Sequence, residues 1–147
     1  MKVLHLAKGR KYYVWAMCDD DDSCQVLETL KAVNMEHPDL VETITAILYE
    51  VVPDEGPPLD GYRAKMLHRD ILYELKADKD VTRRKHVGLR IAFFFDDFSD
   101  GPVVVCTNAF CKHGSSTPET DLDTVLVLRA RYFEEKDELE FVTEVPT

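Results

Sequence analysis

The fold is decided by residues 88–135, which read GLRIAFFFDDFSDGPVVVCTNAFCKHGSSTPETDLDTVLVLRARYFEE. The runs 89–95 and 103–110 are rich in β-branched and aromatic residues, which predicts two strands. The Asp100-Gly101-Pro102 segment between them is typical of a tight turn, so we expect the strands to pair antiparallel. Thr117-Pro118-Glu119 is typical of a helix start, because a hydroxyl cap, a proline at the first position and an early acid all favour a helix N-terminus.

The rest of the chain completes an α+β pattern. Further strands are predicted at 11–17 and 71–77, and apolar residues at helical spacing predict helices at 23–35 and 38–51, separated by the His37-Pro38 break. The order β-α-α-β-β-β-α predicts a small antiparallel sheet with a helical hairpin on one face. At 147 residues the chain is expected to form a single domain, 1–147, with a polar C-terminal tail from about residue 136.

Charge is distributed unevenly along the chain. The net charge is −10, which argues against a simple nucleic-acid binder. Residues 61–92, however, hold nine Lys and Arg against four Asp and Glu, a net charge of +5 inside an acidic body. The chain has no apolar run of about 18 residues, and its first residues lack the apolar core of a signal peptide, which predicts a cytoplasmic protein that does not contact membranes.

Side-chain alternation predicts which strand residues share a face. The odd-numbered residues of the strands 71–77, 89–95 and 103–110 are mostly apolar, so we expect them to pack against the helical hairpin. The even-numbered residues then face the other side, and they include Lys76, Arg90 and Lys112. Isolated cations on one sheet face are typical of a phosphate-binding surface. Phe110 shares that face, where it either stacks on a base or packs under the last helix.

Three motifs occur in a fixed order within residues 59–135. They are Tyr73-Glu74-Leu75-Lys76, Leu89-Arg90-Ile91, and Phe110-x-Lys112 followed by Thr117-Pro118-Glu119. Together they resemble the RelE/HigB toxin superfamily, and its phage-derived HigB-like branch most closely. The resemblance implies a RelE-like fold and the toxin of a type II toxin–antitoxin pair, a ribosome-dependent mRNA endoribonuclease that inhibits translation without a metal or other cofactor. The implied partners are an antitoxin, often of helix-turn-helix type, and the ribosome with its mRNA.

The resemblance also implies site residues. Arg90 matches the arginine of the family's central strand, and Lys112 matches a basic residue at the end of its last strand. Lys76 stands where the branch has arginine, and Lys112-His113 replaces a pair of lysines. Cations stabilise the charge that develops on phosphorus, and a histidine can shuttle protons. The candidate catalytic residues are therefore Arg90, Lys112, His113 and Lys76. The candidate RNA-binding residues are His68, Arg83, Arg84, Lys85 and Phe110.

Two other interpretations remain open. The acidic body favours a non-catalytic phage or mobile-element protein on the same scaffold that binds a host protein. A zinc site formed by Cys106, Cys111 and His113 is the other, but its spacing does not match the common zinc motifs, and no metal is expected.

Overall fold

The computed structural model describes residues 1–68, 71–113 and 119–143. The strands are β1 (Lys2–Lys8), β2 (Tyr13–Cys18), β3 (Ala64–His68), β4 (Leu72–Thr82), β5 (Lys85–Phe98), β6 (Gly101–Lys112) and β7 (Glu140–Val142). The helices are α1 (Gln25–Glu36), α2 (Pro38–Ala46), α3 (Val52–Glu55) and α4 (Glu119–Glu135), with a π-helical turn at Ile47–Val51 and a 3-10 turn at Lys136–Glu138. Among these helices, none is long and apolar enough to cross a membrane.

One mixed sheet contains all seven described strands, in the order β3-β4-β5-β6-β2-β1-β7. The α+β prediction is confirmed, but the prediction of an antiparallel sheet is wrong for two pairs. β2 pairs with β6 in parallel, and β1 pairs with β7 in parallel. In both pairs a long stretch of chain separates the two strands, and parallel pairing requires such a long connection, whereas a tight turn can join only antiparallel strands.

The strands are longer and more numerous than the sequence predicts. The polar segment 78–86 lies between the predicted strands 71–77 and 89–95, and it extends both of them into a β4–β5 hairpin that turns at Arg83 and Arg84. β1 and β3 lie near the two ends of the sheet and are absent from the predicted order. β3 pairs with β4 and places Lys65 directly opposite Glu74. The hairpin and β3 together widen the sheet at the predicted site.

The predicted second helix contains a local irregularity near its C-terminal end. Within it, the backbone N–H of Val52 donates to the carbonyl of Ile47, five residues back, which is a π-helical bond. Pro53 follows directly, and a proline inside a helix has no N–H to donate and crowds the preceding turn. The wider turn therefore lets the helix continue through the proline to Glu55.

Each face of the sheet has its own apolar core. One core lies under α1 and α2, and its strand residues include Val14, Ala16, Leu75, Leu89 and Ile91. The other core lies under α4, and its members include Trp15, Ala92, Phe94, Val105 and Tyr132. The odd-numbered residues of β4 and β5 face the helical hairpin as predicted, apart from Ile71, which lies just before β4 and is exposed.

A register shift in β6 changes the predicted alternation. Ile91 pairs with Ala109 but Phe93 pairs with Cys106, so β6 carries an extra residue between these pairs. Before the shift, Val103 and Val105 face α4 and Val104 and Cys106 face the helical hairpin, the reverse of the prediction. After it, Ala109 faces the hairpin and Phe110 faces α4, as predicted. The irregularity therefore puts the end of β6 on the same face as Lys76 and Arg90.

Candidate functional site

Three neighbouring strands bring the predicted cations together on the α4 face of the sheet. Lys76 of β4 lies opposite Arg90 of β5, and Arg90 lies opposite Phe110 of β6. Gly88 of β5 lies opposite Lys112. We call the charged residues of this region the charged cluster. Its members are Lys65, Glu74, Lys76, Asp78, Arg90 and Lys112.

A buried carboxylate lies at the centre of the charged cluster. Glu74 is 0% exposed, and its Oε1 lies 3.4 Å from Nε of Arg90 and 3.5 Å from Nζ of Lys65. Neither oxygen of Glu74 accepts a hydrogen bond from the described residues. The two cations therefore compensate the charge of Glu74 through space, at a distance slightly longer than a hydrogen bond.

Asp78 holds the other side of the Arg90 guanidinium. Nη2 of Arg90 donates to Oδ1 of Asp78 at 2.9 Å, and His86 is 2.9 Å from the same oxygen. Burial alone would raise the pKa of Asp78, but the hydrogen bonds with Arg90 and His86 outweigh it, and the pKa lies below its usual range. Hydrogen bonds to Asp80 and Asp78 raise the pKa of His86. Arg90 is therefore fixed in place by two carboxylates.

Lys112, unlike Arg90, is buried without a carboxylate partner among the described residues. It is 3% exposed, and no carboxylate of the described residues forms an ion pair with it. Burial, reinforced by the nearby charges of Lys65 and Arg90, lowers the pKa of the Lys112 ammonium. A lysine with a lowered pKa inside a group of cations is a candidate for proton transfer or for anion binding.

The charged cluster has a surplus of positive charge. Its four cations face two carboxylates, Glu74 and Asp78, and both of these are engaged by Arg90. Lys76 donates instead to the carbonyl of Gly61 at 3.0 Å, a bond that leaves its charge uncompensated. An anion such as a phosphate would restore the balance, so the surplus favours an anion-binding role.

Gly88 makes room for this arrangement. A Cβ built on Gly88 would lie 2.7 Å from Oδ1 of Asp78 and 2.8 Å from Nη1 of Arg90. A glycine inside a strand often marks such a close approach.

We therefore expect Gly88→Ala to lower the free energy of unfolding by about 1–3 kcal/mol, because the guanidinium has to move. Urea unfolding measures the loss. In an Arg90→Met background the same substitution should cost less, since the collision with the guanidinium is gone. Equal costs in the two backgrounds would show that Gly88 does not act through Arg90.

The remaining cations of the prediction lie outside the charged cluster. Arg83, Arg84 and Lys85 are exposed at the tip of the β4–β5 hairpin. Lys85 lies five residues from Arg90 along β5, a distance of about 17 Å. A polymer could reach both places, but a single phosphate group could not.

Of the two predicted histidines, the structure describes the side chain of His113 but not that of His68. His113 directly follows β6 and is exposed, and no hydrogen bond or ion pair joins its ring to the cluster within the described residues. The side chain of His68 lies outside the described part of the chain, as do Thr117 and Pro118 of the predicted helix start.

Phe110 belongs to the core rather than to an open surface. Its side chain is buried in the apolar cluster under α4, together with Phe94. A ring that stacks on a base must present its face to solvent, so these contacts favour the packing role over the RNA-stacking role predicted for Phe110.

Sequence reasoning did not identify three members of the site. Glu74 lies on the same strand face as Lys76, but its place in the Tyr73-Glu74-Leu75-Lys76 motif indicates only the family resemblance and not a buried charge. Lys65 joins through β3, which was not among the predicted strands. Gly88 could have been identified from the sequence, because a glycine at the start of an otherwise apolar strand indicates that other atoms come close to the backbone there.

No group of three or more His, Cys, Asp or Glu side chains is placed to hold a metal ion within residues 1–68, 71–113 and 119–143. Comparison of the chain with protein-family models, with curated proteins and with solved structures found no significant match.

Proposed function

We propose that this protein is a metal-free endoribonuclease that acts as a toxin on mRNA at the ribosome, with the charged cluster as its active site. The observation that supports the proposal most directly is the position of four cations, Lys65, Lys76, Arg90 and Lys112, on one face of four neighbouring strands. The motif resemblance supplies the class of substrate, and the surplus of cations on one face agrees with a phosphodiester as ligand.

The chemistry assigns a role to each side chain. Lys112 is 3% exposed in the free protein, so bound RNA has to open access to it. Its neutral amine then accepts the proton of a ribose 2′-hydroxyl, whose oxygen attacks the adjacent phosphorus. The bond from phosphorus to the 5′-oxygen of the next nucleotide breaks, and that oxygen takes up a proton from water. Arg90 and Lys76 stabilise the negative charge on the phosphoryl oxygens. The products are a 2′,3′-cyclic phosphate and a free 5′-hydroxyl.

We expect induced expression of the protein to arrest bacterial growth and to produce mRNA fragments with 2′,3′-cyclic phosphate ends. Lys112→Met should lower cleavage by about 100-fold or more, because it removes the proton acceptor. Cleavage is measured by primer extension on mRNA bound to purified ribosomes. Lys112→Met leaves the Glu74–Arg90 pair intact and is therefore a better probe than a substitution of Arg90.

Lys31→Met provides a matched control, since Lys31 is an exposed lysine on α1. It should arrest growth as the wild type does. A wild-type protein that neither arrests growth nor cleaves mRNA would rule the proposal out. A folded Lys112→Met protein that cleaves like the wild type would remove Lys112 from the mechanism.

A second candidate function is supported by the same geometry. The Arg90 guanidinium is already engaged by Glu74 and Asp78, and ion pairs of this kind also occur in proteins that catalyse nothing. In this interpretation the protein is a non-catalytic partner of a host protein. A folded wild type that arrests growth without cleaving any RNA would favour it.

A further inference from the structure

The histidine of the β4–β5 hairpin, His86, lies beside the charged cluster and between two carboxylates. Its Nε2 is 2.9 Å from Oδ1 of Asp78, and its Nδ1 is 3.0 Å from Oδ1 of Asp80. The oxygens of a carboxylate only accept hydrogen bonds, so each ring nitrogen needs a hydrogen to donate. Two donating nitrogens define the imidazolium, the positively charged form of the ring.

The carboxylate of Asp78 joins His86 to the charged cluster. The odd-numbered residues of β5 face the helical hairpin, so His86, Gly88 and Arg90 share the other face. Asp78 lies opposite Gly88 and leans over it, where a side chain would collide with its Oδ1. That oxygen is 2.9 Å from Nε2 of His86 and 2.9 Å from Nη2 of Arg90. The two cations therefore share one carboxylate oxygen.

The shared oxygen couples the charge of His86 to that of Arg90. While the ring is protonated, it compensates the charge of Asp78, and more of the guanidinium charge is left to attract an anion. Once the ring loses its proton, Asp78 acts on Arg90 without an opposing cation beside it. The positive potential of the charged cluster therefore depends on the protonation of His86.

The groups around His86 favour its charged form and leave it open to solvent. Hydrogen bonds to Asp80 and Asp78 raise the pKa of the ring, although burial opposes them. The ring is 42% exposed, so it exchanges protons with water directly. The neighbouring cations on β4, β5 and β6 belong to the charged cluster and are Lys76, Arg90 and Lys112.

Exposure decides which contact opens when the ring becomes neutral. A neutral imidazole has one N–H, so only one of the two carboxylates keeps its hydrogen bond. Asp80 is 81% exposed and Asp78 only 28%, which makes water a ready replacement for the ring at Asp80. The bond to Asp78 then remains while the charge is lost. The change at Arg90 is therefore electrostatic and requires no rearrangement of the strands.

We propose that His86 is a pH-sensitive regulator of the charged cluster, which binds RNA phosphates strongly when the ring is protonated and weakly when it is neutral. The inference rests on the proposed function for the choice of RNA as the anion. The coupling through Asp78 is independent of cleavage.

A 2′-O-methyl oligouridine is a suitable probe, because it carries phosphodiesters but no 2′-hydroxyl that could attack them. At constant ionic strength, we expect the full wild-type chain to bind it about fivefold more weakly at about pH 8 than at about pH 5.5, since one nearby charge is lost. His86→Gln should bind weakly at both pH values, and His86→Lys strongly at both. His5→Gln is the matched control, at an exposed histidine on β1, and should behave as the wild type does.

An Asp80→Asn variant tests the origin of the pH dependence. Asp80 is exposed and outside the charged cluster, and its replacement removes a charge that favours the imidazolium. The midpoint of the pH dependence should therefore move to lower pH. Proton NMR measures the same midpoint in the free protein, with the His86 ring signal identified by its loss in His86→Gln. In the wild type it should lie above the ordinary value of 6.5.

The inference is overturned if His86→Gln keeps the full pH dependence of the wild type, if the oligonucleotide binds at neither pH, or if Asp80→Asn leaves the NMR midpoint unchanged. Its failure is distinct from that of the proposed function. A protein that cleaves no mRNA but binds the oligonucleotide according to the state of His86 supports the inference and contradicts the nuclease. A protein that cleaves mRNA, with the same pH dependence of binding in His86→Gln, does the reverse.

Discussion

Replacing Arg90 by methionine is expected to lower the free energy of unfolding by about 3–5 kcal/mol, which is a large part of the stability of a domain of this size. Glu74 has no solvent contact and no hydrogen bond within the described residues, so its charge depends on Arg90 and Lys65. Methionine has a similar shape to the arginine stem but no charge. The buried carboxylate would lose the nearer of its two ion-pair partners and keep Lys65, which is partly exposed.

Urea unfolding followed by circular dichroism measures this loss. Replacing the carboxylate as well, in the double variant Glu74→Leu with Arg90→Met, should restore most of the stability, because apolar pairs often replace buried ion pairs without loss. The exposed pair Lys79–Asp39, 2.7 Å apart, provides the control. Lys79→Met should cost less than about 1 kcal/mol. If Arg90→Met costs no more than this control, then the Glu74–Arg90 pair does not stabilise the fold.

Replacing Tyr132 by alanine is expected to cost about 3–5 kcal/mol, as for other large buried aromatic residues. The ring is fully buried under α4 and packs edge-on against Phe94, with 5.0 Å between the ring centroids. Its hydroxyl donates to Oδ2 of Asp96 at 2.8 Å. Burial and this hydrogen bond raise the pKa of Tyr132. The side chain therefore fixes α4 to the sheet through both packing and a hydrogen bond.

Tyr132→Phe separates these two contributions, and it should cost about 1–2 kcal/mol, since only the hydroxyl is lost. Phe133→Ala is the matched control, because Phe133 is the next aromatic residue on the same helix but is 36% exposed. It should cost clearly less than Tyr132→Ala. Thermal unfolding of the three variants measures the order of their stability losses. A Phe133→Ala loss equal to that of Tyr132→Ala would show that burial does not set the contribution of these rings.

The face that Lys76 and Arg90 share was predictable from sequence, because alternation in β4 and β5 is regular and the apolar side is unmistakable. The same reasoning failed for Val103 and Val105, since both sides of β6 are apolar and nothing in the sequence indicates the extra residue before Ala109. Lys112 lies on the predicted face only because the extra residue in β6 reverses the alternation between Cys106 and Ala109.

The ion pairs of the charged cluster were not predictable from the sequence. Local sequence shows that Glu74 and Arg90 have the same parity, but not that β4 and β5 align them closely enough to form an ion pair 3.4 Å long. That alignment depends on the register of the β4–β5 hairpin, and the sequence of its outer half, residues 78–86, is too polar to predict strands. The strand that supplies Lys65 is short and lies at the edge of the sheet, where side-chain patterns are weakest.

The parallel pairing of β2 with β6 has a consequence for the order of folding. Tyr13 pairs with Val103, 90 residues later in the chain, and Lys2 pairs with Glu140 close to the C-terminal end. Contacts between residues so distant in sequence form late, because the intervening chain must first be brought together. During synthesis both outer edges of the β1–β2 hairpin stay unpaired until β6 and β7 have been made, which leaves the nascent chain open to aggregation or to chaperone binding in that interval.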